Sequence, residues 1–302
     1  MKANSRIAVL PLPGNEFIAG RLAGLLGAET VDAELRLFPD GESYVRVLSD
    51  VEGKKVVLVC TLDRPNEKFL PLYFLSKCLR KQGAGHLSLV APYLAYMRQD
   101  MVFNPGEIAT SEYFGELISS AFDSLITVDP HLHRRTSLSE IYSIPNKVVH
   151  AADHIFRWIR RNVKTPVLIG PDSESEQWVG VVAQKANLPF TVLQKTRYGD
   201  SEVEVSVPEI ADYQNHTPIL IDDIISTART MIETVTHLRT LGMKPAVCIG
   251  VHAVFADGAL DGLLGSGIER IVTCNTIPHV TNDIDVSDLF VDFVSRSESA
   301  AE

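Results

Sequence analysis

The sequence predicts an α/β protein built from two doubly wound domains, each a mostly parallel sheet flanked by helices. Three observations predict it. Short runs of Val, Ile and Leu recur without the polar alternation of a half-exposed strand, as buried parallel strands do; stretches of helical spacing separate them; and the whole alternation occurs twice. The 302 residues amount to about two domains at ~150 residues each, and a 45% hydrophobic content is enough to fill two cores.

In the first half the strands are read from RIAVLPL at 6–12, KVVLVC at 55–60, HLSLVAPYL at 86–94 and SLITVDP at 124–130. The helices between them are NEFIAGRLAGLLG from Asn15, NEKFLPLYFLSKCLRKQG from Asn66 and TSEYFGELISSAF from Thr110. Each begins near an Asn or Thr suited to capping, and the first two end at a glycine. The second half repeats the scheme with PVLIGPD at 166–172, PILIDDI at 218–224, AVCIGVHAVF at 246–255 and RIVTCNTI at 270–277; EQWVGVVAQKA and ARTMIETVTHLRTLG are the helices between. The boundary falls near 147–153, giving domains 1–150 and 151–302. There, NKVVHAADHIFRWIRR either caps the first domain or opens the second. DIDVSDLFVDF alternates and is expected to return as a strand to either sheet, the N-terminal one included, and SRSESAAE is a polar tail expected to fray.

Lys and Arg total 28 against 38 Asp and Glu, a net charge of −10, which argues against binding nucleic acid or an anionic membrane through overall charge. Cys60, Cys78, Cys248 and Cys274 are scattered, with no C-x-x-C pair or zinc spacing, as expected of a reduced cytoplasmic protein. No 18-residue apolar stretch and no signal-peptide pattern are visible, so a soluble chain is expected.

In open α/β sheets ligands bind beyond the carboxyl ends of the strands, and there the sequence changes character. ILIDDIISTARTM runs from an apolar strand at Ile219 into Asp222 and Asp223, then Ser226, Thr227, Arg229 and Thr230, with a helix opening behind them. Two carboxylates at a strand end suit hydroxyls or a metal-bound ligand, and hydroxyls with free N–H groups at a helix start suit a phosphate. Taken alone, the same residues read equally as an Asp-Asp turn and a Ser/Thr cap.

The pattern of apolar strand, Asp-Asp and then Thr, a small residue and Thr resembles the ribose-phosphate loop of phosphoribosyltransferase-type domains. FPDGESYVRV (38–47), APYLAYMRQD (91–100), TVDPHLHR (127–134), GPDSES (170–175), QKTRYGDSEV (194–203), VHAVF and VTCNTIP resemble, in order, the successive motifs of the ribose-phosphate pyrophosphokinase (PRPP synthetase) family. The likeness extends from Gly14-Asn15 to Pro278. It implies two tandem phosphoribosyltransferase-like domains with the active site between them, the first supplying most ATP contacts and the second the ribose 5-phosphate site. The implied reaction transfers the β,γ-diphosphoryl group of MgATP to the anomeric hydroxyl of ribose 5-phosphate, giving PRPP and AMP. No G-x-x-x-x-G-K-[ST] or G-x-G-x-x-G loop is present, so catalysis would rest on in-line placement and charge neutralisation.

Residue by residue, the resemblance implies that Phe38, Asp40 and Glu42 hold adenine, partly across a subunit boundary, in a homodimer or larger homo-oligomer. On sequence alone FPDGES is only a turn. Arg98 and Gln99 match ATP contacts; His131 matches a ligand of the ATP-bound Mg2+ or a contact to its phosphates, and Asp172 the second metal-associated acid. Read without the family, His131 is a hydrogen-bonded loop histidine. Lys195 and Arg197 match the basic pair that stabilises the transferring group, or on the plain reading a solvated sheet edge. Asp222, Asp223, Ser226, Thr227, Ala228, Arg229 and Thr230 match the ribose 5-phosphate site.

Three positions depart from the family pattern. Arg229 stands where glycine is usual, Ser173 to Glu176 replace a small glycine-containing turn, and Met101 replaces a basic residue. These leave a second reading open, a catalytically weak or silent homologue that binds nucleotide or PRPP and regulates a partner. An ordinary phosphoribosyltransferase shares the Asp222-Asp223 loop but not the tandem domains.

Overall fold

The computed structural model describes residues 6–132, 134–170, 180, 183, 188–192, 194–198, 202–206 and 213–296. The chain divides into two compact units, Met1–His150 with Ser287–Glu302, and Ala151–Val286.

In the first unit, strands β1 (Ile7–Pro11), β2 (Glu29–Thr30), β5 (Lys55–Val59), β6 (His86–Ala91), β7 (Ser124–Val128) and β8 (Asn146–Val149) form one parallel sheet in the order β2-β1-β5-β6-β7-β8. Every residue of β5 and β7 is buried, because helices cover the sheet; this is why those strands read as unbroken apolar runs. The helices are α1 (Glu16–Leu26), α2 (Pro65–Lys81) and α3 (Thr110–Ser119). An antiparallel hairpin, β3 (Ala33–Leu37) and β4 (Ser43–Val47), stands apart from the sheet.

The second unit opens with α4 (Ala152–Asn162) and repeats the winding: β9 (Pro166–Gly170), β10 (Phe190–Val192), β13 (Thr217–Ile225), β14 (Val247–Ala253), β15 (Arg270–Cys274) and β16 (Asn282–Ile284) lie parallel in the order β10-β9-β13-β14-β15-β16. Between β10 and β13 the chain forms a second hairpin, β11 (Gln194–Tyr198) and β12 (Glu202–Ser206). Both units thus place their first strand second from one edge, and each enters a helix after its third sheet strand through a left-handed residue, Arg64 at φ 50° and Ala228 at φ 57°.

Two expectations change. Of Asn15, Asn66 and Thr110 only Asn15 takes the N-cap position, without a side-chain cap bond; the other two helices have Arg64 and Ala109 there. The side chains bond neighbouring loops instead. Asn15 Oδ1 accepts from the Thr61 N–H at 2.9 Å, Asn66 Oδ1 accepts from the Tyr96 hydroxyl, and Thr110 Oγ1 donates to Gln99 Oε1 at 2.9 Å. The stretch 283–293 is not one strand. Ile284 and Val286 keep the alternation, but Phe290 and Val294, four apart and fully buried, follow helical spacing, and residues Ser287–Phe290 and Val291–Arg296 form two short helical segments on α1. Lys55, buried at the start of β5, donates to the Val294 carbonyl and fastens this segment to the first unit. Residues 146–162 divide into β8, in the first sheet, and α4, in the second unit. No helix among the described residues is long and apolar enough to cross a membrane.

Candidate active site

In the second unit the strand order reverses between β9 and β13, and the turn after β13 opens at that crevice. Pro218 to Ile221 are buried in the sheet, and Asp222 and Asp223, still within the strand, are half-buried as it leaves the core. The Asp223 N–H donates to Asp222 Oδ1 at 3.0 Å, which turns that carboxylate back along the chain. Ile225 then tucks against β14, where Gly250 makes room: a Cβ at 250 would lie 2.6 Å from Ile225 Cγ1. The Phe255 and Ala256 N–H groups donate to the carbonyls of Ile225 and Ser226 at 2.8 and 3.0 Å, bracing the turn from the next strand's end.

The helix Arg229–Thr240 has Ala228 as its N-cap, whose methyl group cannot accept a hydrogen bond. Neither Ser226 nor Thr227 takes the N-cap position, contrary to the plain sequence reading. The first N–H groups of this helix receive no side-chain cap bond from Ala228, and the turn before them follows a strand that carries two carboxylates near its end; such a turn can take a phosphate on its N–H groups and hydroxyls on its acids. The left-handed backbone falls on Ala228, not on Arg229, which is the first helical residue and exposed. Arg229 thus needs no glycine-like conformation, and it brings a guanidinium to the turn.

In the first unit the loops after β6 and β7 carry the expected nucleotide residues. Tyr96, at φ 61°, packs its ring on Phe114 at 4.7 Å and turns the chain so that Arg98 is exposed and Gln99 half-buried. Gln99 is held by α3 through Thr110 and through the Ser111 N–H, which donates to its carbonyl at 3.3 Å. Asp129 leaves β7 at φ 34°, with Oδ1 2.6 Å from His150 Nδ1, and Pro130 leads directly to half-buried His131. A non-glycine residue in this conformation is strained, and such strain gathers at functional sites. Arg134 and Arg135 reach back from the β7 loop to Asp100. Asp100, Arg134, Arg135 and His150 carry no role in the sequence reading, and Thr110 only that of a helix cap; the basic pair Arg134-Arg135 shortly after His131 is the available signal.

Phe38, Asp40 and Glu42 share the exposed turn of the β3–β4 hairpin. Gly41 at φ 91° closes it, the Glu42 N–H donates to Asp40 Oδ1 at 3.2 Å, and the Arg36 guanidinium lies 4.8 Å from the Phe38 ring and 4.1 Å from Tyr44. Lys195 and Arg197 are two positions apart on β11, opposite Val205 and Val203 of β12. Asp172 and Ser173 to Glu176 lie outside the described residues.

Of the expected residues, then, Phe38, Asp40, Glu42, Arg98, Gln99, His131 and Asp222 to Thr230 lie at strand ends, turns and a helix start, whereas Lys195 and Arg197 lie within a hairpin strand. Residues 7–121 match the family model for the N-terminal domain of ribose phosphate pyrophosphokinase, and residues 137–288 match the phosphoribosyl transferase domain. The chain is 31% identical over 268 residues to the ribose-phosphate pyrophosphokinase of Saccharolobus solfataricus, covering 88% of this chain and 90% of the relative. It is 32% identical over 269 residues to that of Methanopyrus kandleri, covering 88% and 91%. The chain belongs to the ribose-phosphate pyrophosphokinase family. A crystal structure of phosphoribosylpyrophosphate synthetase from Mycobacterium smegmatis shares the fold, with a TM-score of 0.85 over 97% of this chain and 99% of that one at 21% identity. As a ribose-phosphate pyrophosphokinase family member, the chain has both of the family's domains, each a parallel sheet flanked by helices.

Proposed function

We propose that the protein transfers the β,γ-diphosphoryl group of MgATP to the anomeric hydroxyl of ribose 5-phosphate, giving PRPP and AMP. The observation that carries this reading is similarity to ribose-phosphate pyrophosphokinases along nearly their whole length. The anomeric oxygen attacks the β-phosphorus, the bond from that phosphorus to the α,β-bridging oxygen breaks, and AMP leaves with the bridging oxygen while the hydroxyl proton is lost. Little covalent work falls to the protein, whose task is alignment and charge stabilisation.

In this reading Asp222 and Asp223 bind the ribose hydroxyls, and Ser226 to Thr230 receive the 5-phosphate on N–H groups, hydroxyls and the Arg229 guanidinium. Arg98, Gln99 and His131 contact ATP, and Phe38 stacks on adenine while Asp40 and Glu42 make polar contacts. The hairpin exposes Leu37 and Phe38, apolar surface that a second copy of the chain would cover in a homodimer. Lys195 and Arg197 stabilise the transferring group. Among the described residues no cluster of three or more His, Cys, Asp or Glu could cage a metal. Magnesium needs no such cage: it keeps waters and phosphate oxygens and takes one or two protein ligands, a demand that His131 and Asp172 would meet. When bound, it would neutralise charge on the nucleotide phosphates.

AMP release from MgATP, with and without ribose 5-phosphate, tests the reading. Sugar-dependent release that Asp223→Ala abolishes, together with loss of ribose 5-phosphate binding, is expected. Lys195→Ala should lower kcat far more than it weakens substrate binding. Wild-type protein that binds ATP or PRPP without releasing AMP would overturn the activity in favour of a regulatory homologue.

A further inference from the structure

The loops after β6 and β7 are tied together by charge between the last residues of the APYLAYMRQD and TVDPHLHR segments, to which the sequence reading gives no role. Asp100 directly follows Arg98 and Gln99, and its side chain is 2% exposed. Its Oδ1 accepts from Arg134 Nη1 at 3.1 Å, and its backbone carbonyl accepts from Arg135 Nη2 at 3.3 Å. Arg134 lies three residues beyond His131 in the chain, with its guanidinium 5.2 Å from the Phe103 ring. Arg135 is held in turn by Glu112 of α3 and lies 3.8 Å from Glu140. Asp100 Oδ2 and Arg135 Nε are nevertheless buried without hydrogen-bond partners.

An ion pair between a buried carboxylate and a half-exposed guanidinium, with a carboxylate oxygen left unsatisfied, is a poor source of stability, since desolvation of Asp100 and solvent screening of Arg134 offset the attraction. What such a pair can do is fix geometry. α3 holds Gln99 from one side, and the β7 loop holds the next residue, Asp100, from the other. We propose that Asp100 and Arg134 are positioning residues of the nucleotide site, whose ion pair fixes Arg98 and Gln99 in register with His131. The inference rests on the assignment of those three residues to ATP.

The test measures KM for MgATP, KM for ribose 5-phosphate, kcat and the thermal midpoint for Arg134→Gln, Arg134→Lys, Asp100→Asn and the double variant Asp100→Asn/Arg134→Gln. Each neutral single variant should raise KM for MgATP about 10- to 100-fold, the scale of one charged hydrogen bond, and leave KM for ribose 5-phosphate within about twofold. Arg134→Lys should recover most of the loss, and the double variant should be no worse than either single one. Because the Arg134 side chain is 46% exposed, its variants remain informative if Asp100→Asn does not fold. An unchanged KM for MgATP, or an equal rise in both KM values, overturns the proposal. Wild-type protein without sugar-dependent AMP release overturns the activity instead, and equilibrium binding of MgATP to the same variants then decides the positioning role.

Discussion

Ala228 bears the backbone cost of the proposed phosphate turn. At φ 57° its Cβ is crowded by the following carbonyl, a cost of about 1–2 kcal/mol for any residue but glycine. Ala228→Gly should therefore raise stability by up to ~1 kcal/mol, the gain being trimmed by the greater freedom of glycine in the unfolded chain. Ala228→Val should lower it and weaken ribose 5-phosphate binding. Urea unfolding midpoints and sugar-phosphate titrations check both. At the same scale, the sequence shows what a side chain can do but not which partner it takes. Asn15, Asn66 and Thr110 have the chemistry of caps, yet each spends it on a loop from a distant part of the chain, and no local pattern can rank those two uses. The thiol of Cys60, pushed up to about 12 by burial, was legible as inert only in the negative sense that no motif surrounded it.

Among the elements, β13 and its support from β14 determine where the acids stand. Gly250→Ala would drive a methyl group into Ile225, at a cost of about 1–3 kcal/mol, and would push the 226–229 turn away from its braces on Phe255 and Ala256. A lower unfolding midpoint with weaker ribose 5-phosphate binding is expected; a fall in stability with binding intact would mean that the turn holds its shape independently of Gly250. The buried strands were plain in the sequence because parallel strands covered on both faces need continuous apolar runs. The β3–β4 hairpin was not assigned, although Leu35, Leu37, Val45 and Val47 alternate with charged or polar neighbours around a Pro-Asp-Gly turn. Its residues entered the candidate site only through the family resemblance. The link from Asp100 to Arg134 was out of reach, because two charges separated by 34 positions meet only once β6 and β7 are adjacent.

Across the whole molecule, the sheet of the first unit has one end that carries the loops of the proposed nucleotide site and another, structural end. At the structural end Asp123 precedes β7, accepts from the Leu87 N–H at 2.7 Å and pairs with Arg80, while His86 Nδ1 lies 3.7 Å away. Burial holds His86 below its ordinary 6.5, outweighing the pull of Asp123 in the other direction. Asp123 lies below its ordinary 3.8: burial pushes it up, but the Arg80 and Leu87 hydrogen bonds outweigh that. Both groups bind protons more weakly folded than unfolded, so stability rises with pH, and it should fall on acidification first below about 6.5 and again below about 4. His279, lowered by burial, adds to the first step. Thermal midpoints across pH 3–8 test this, with His86→Gln expected to shrink the first step and leave the second. The repeated strand order has a consequence for ligand stoichiometry. The turn after β5 occupies the place that the turn after β13 has in the second unit, but its helix begins with Pro65, which lacks an N–H, and Lys68 bonds the Thr61 carbonyl and Asp63 across it. Two similar moulds were cast and one was filled with the chain's own side chains, so a ribose 5-phosphate titration should saturate at a single equivalent per chain.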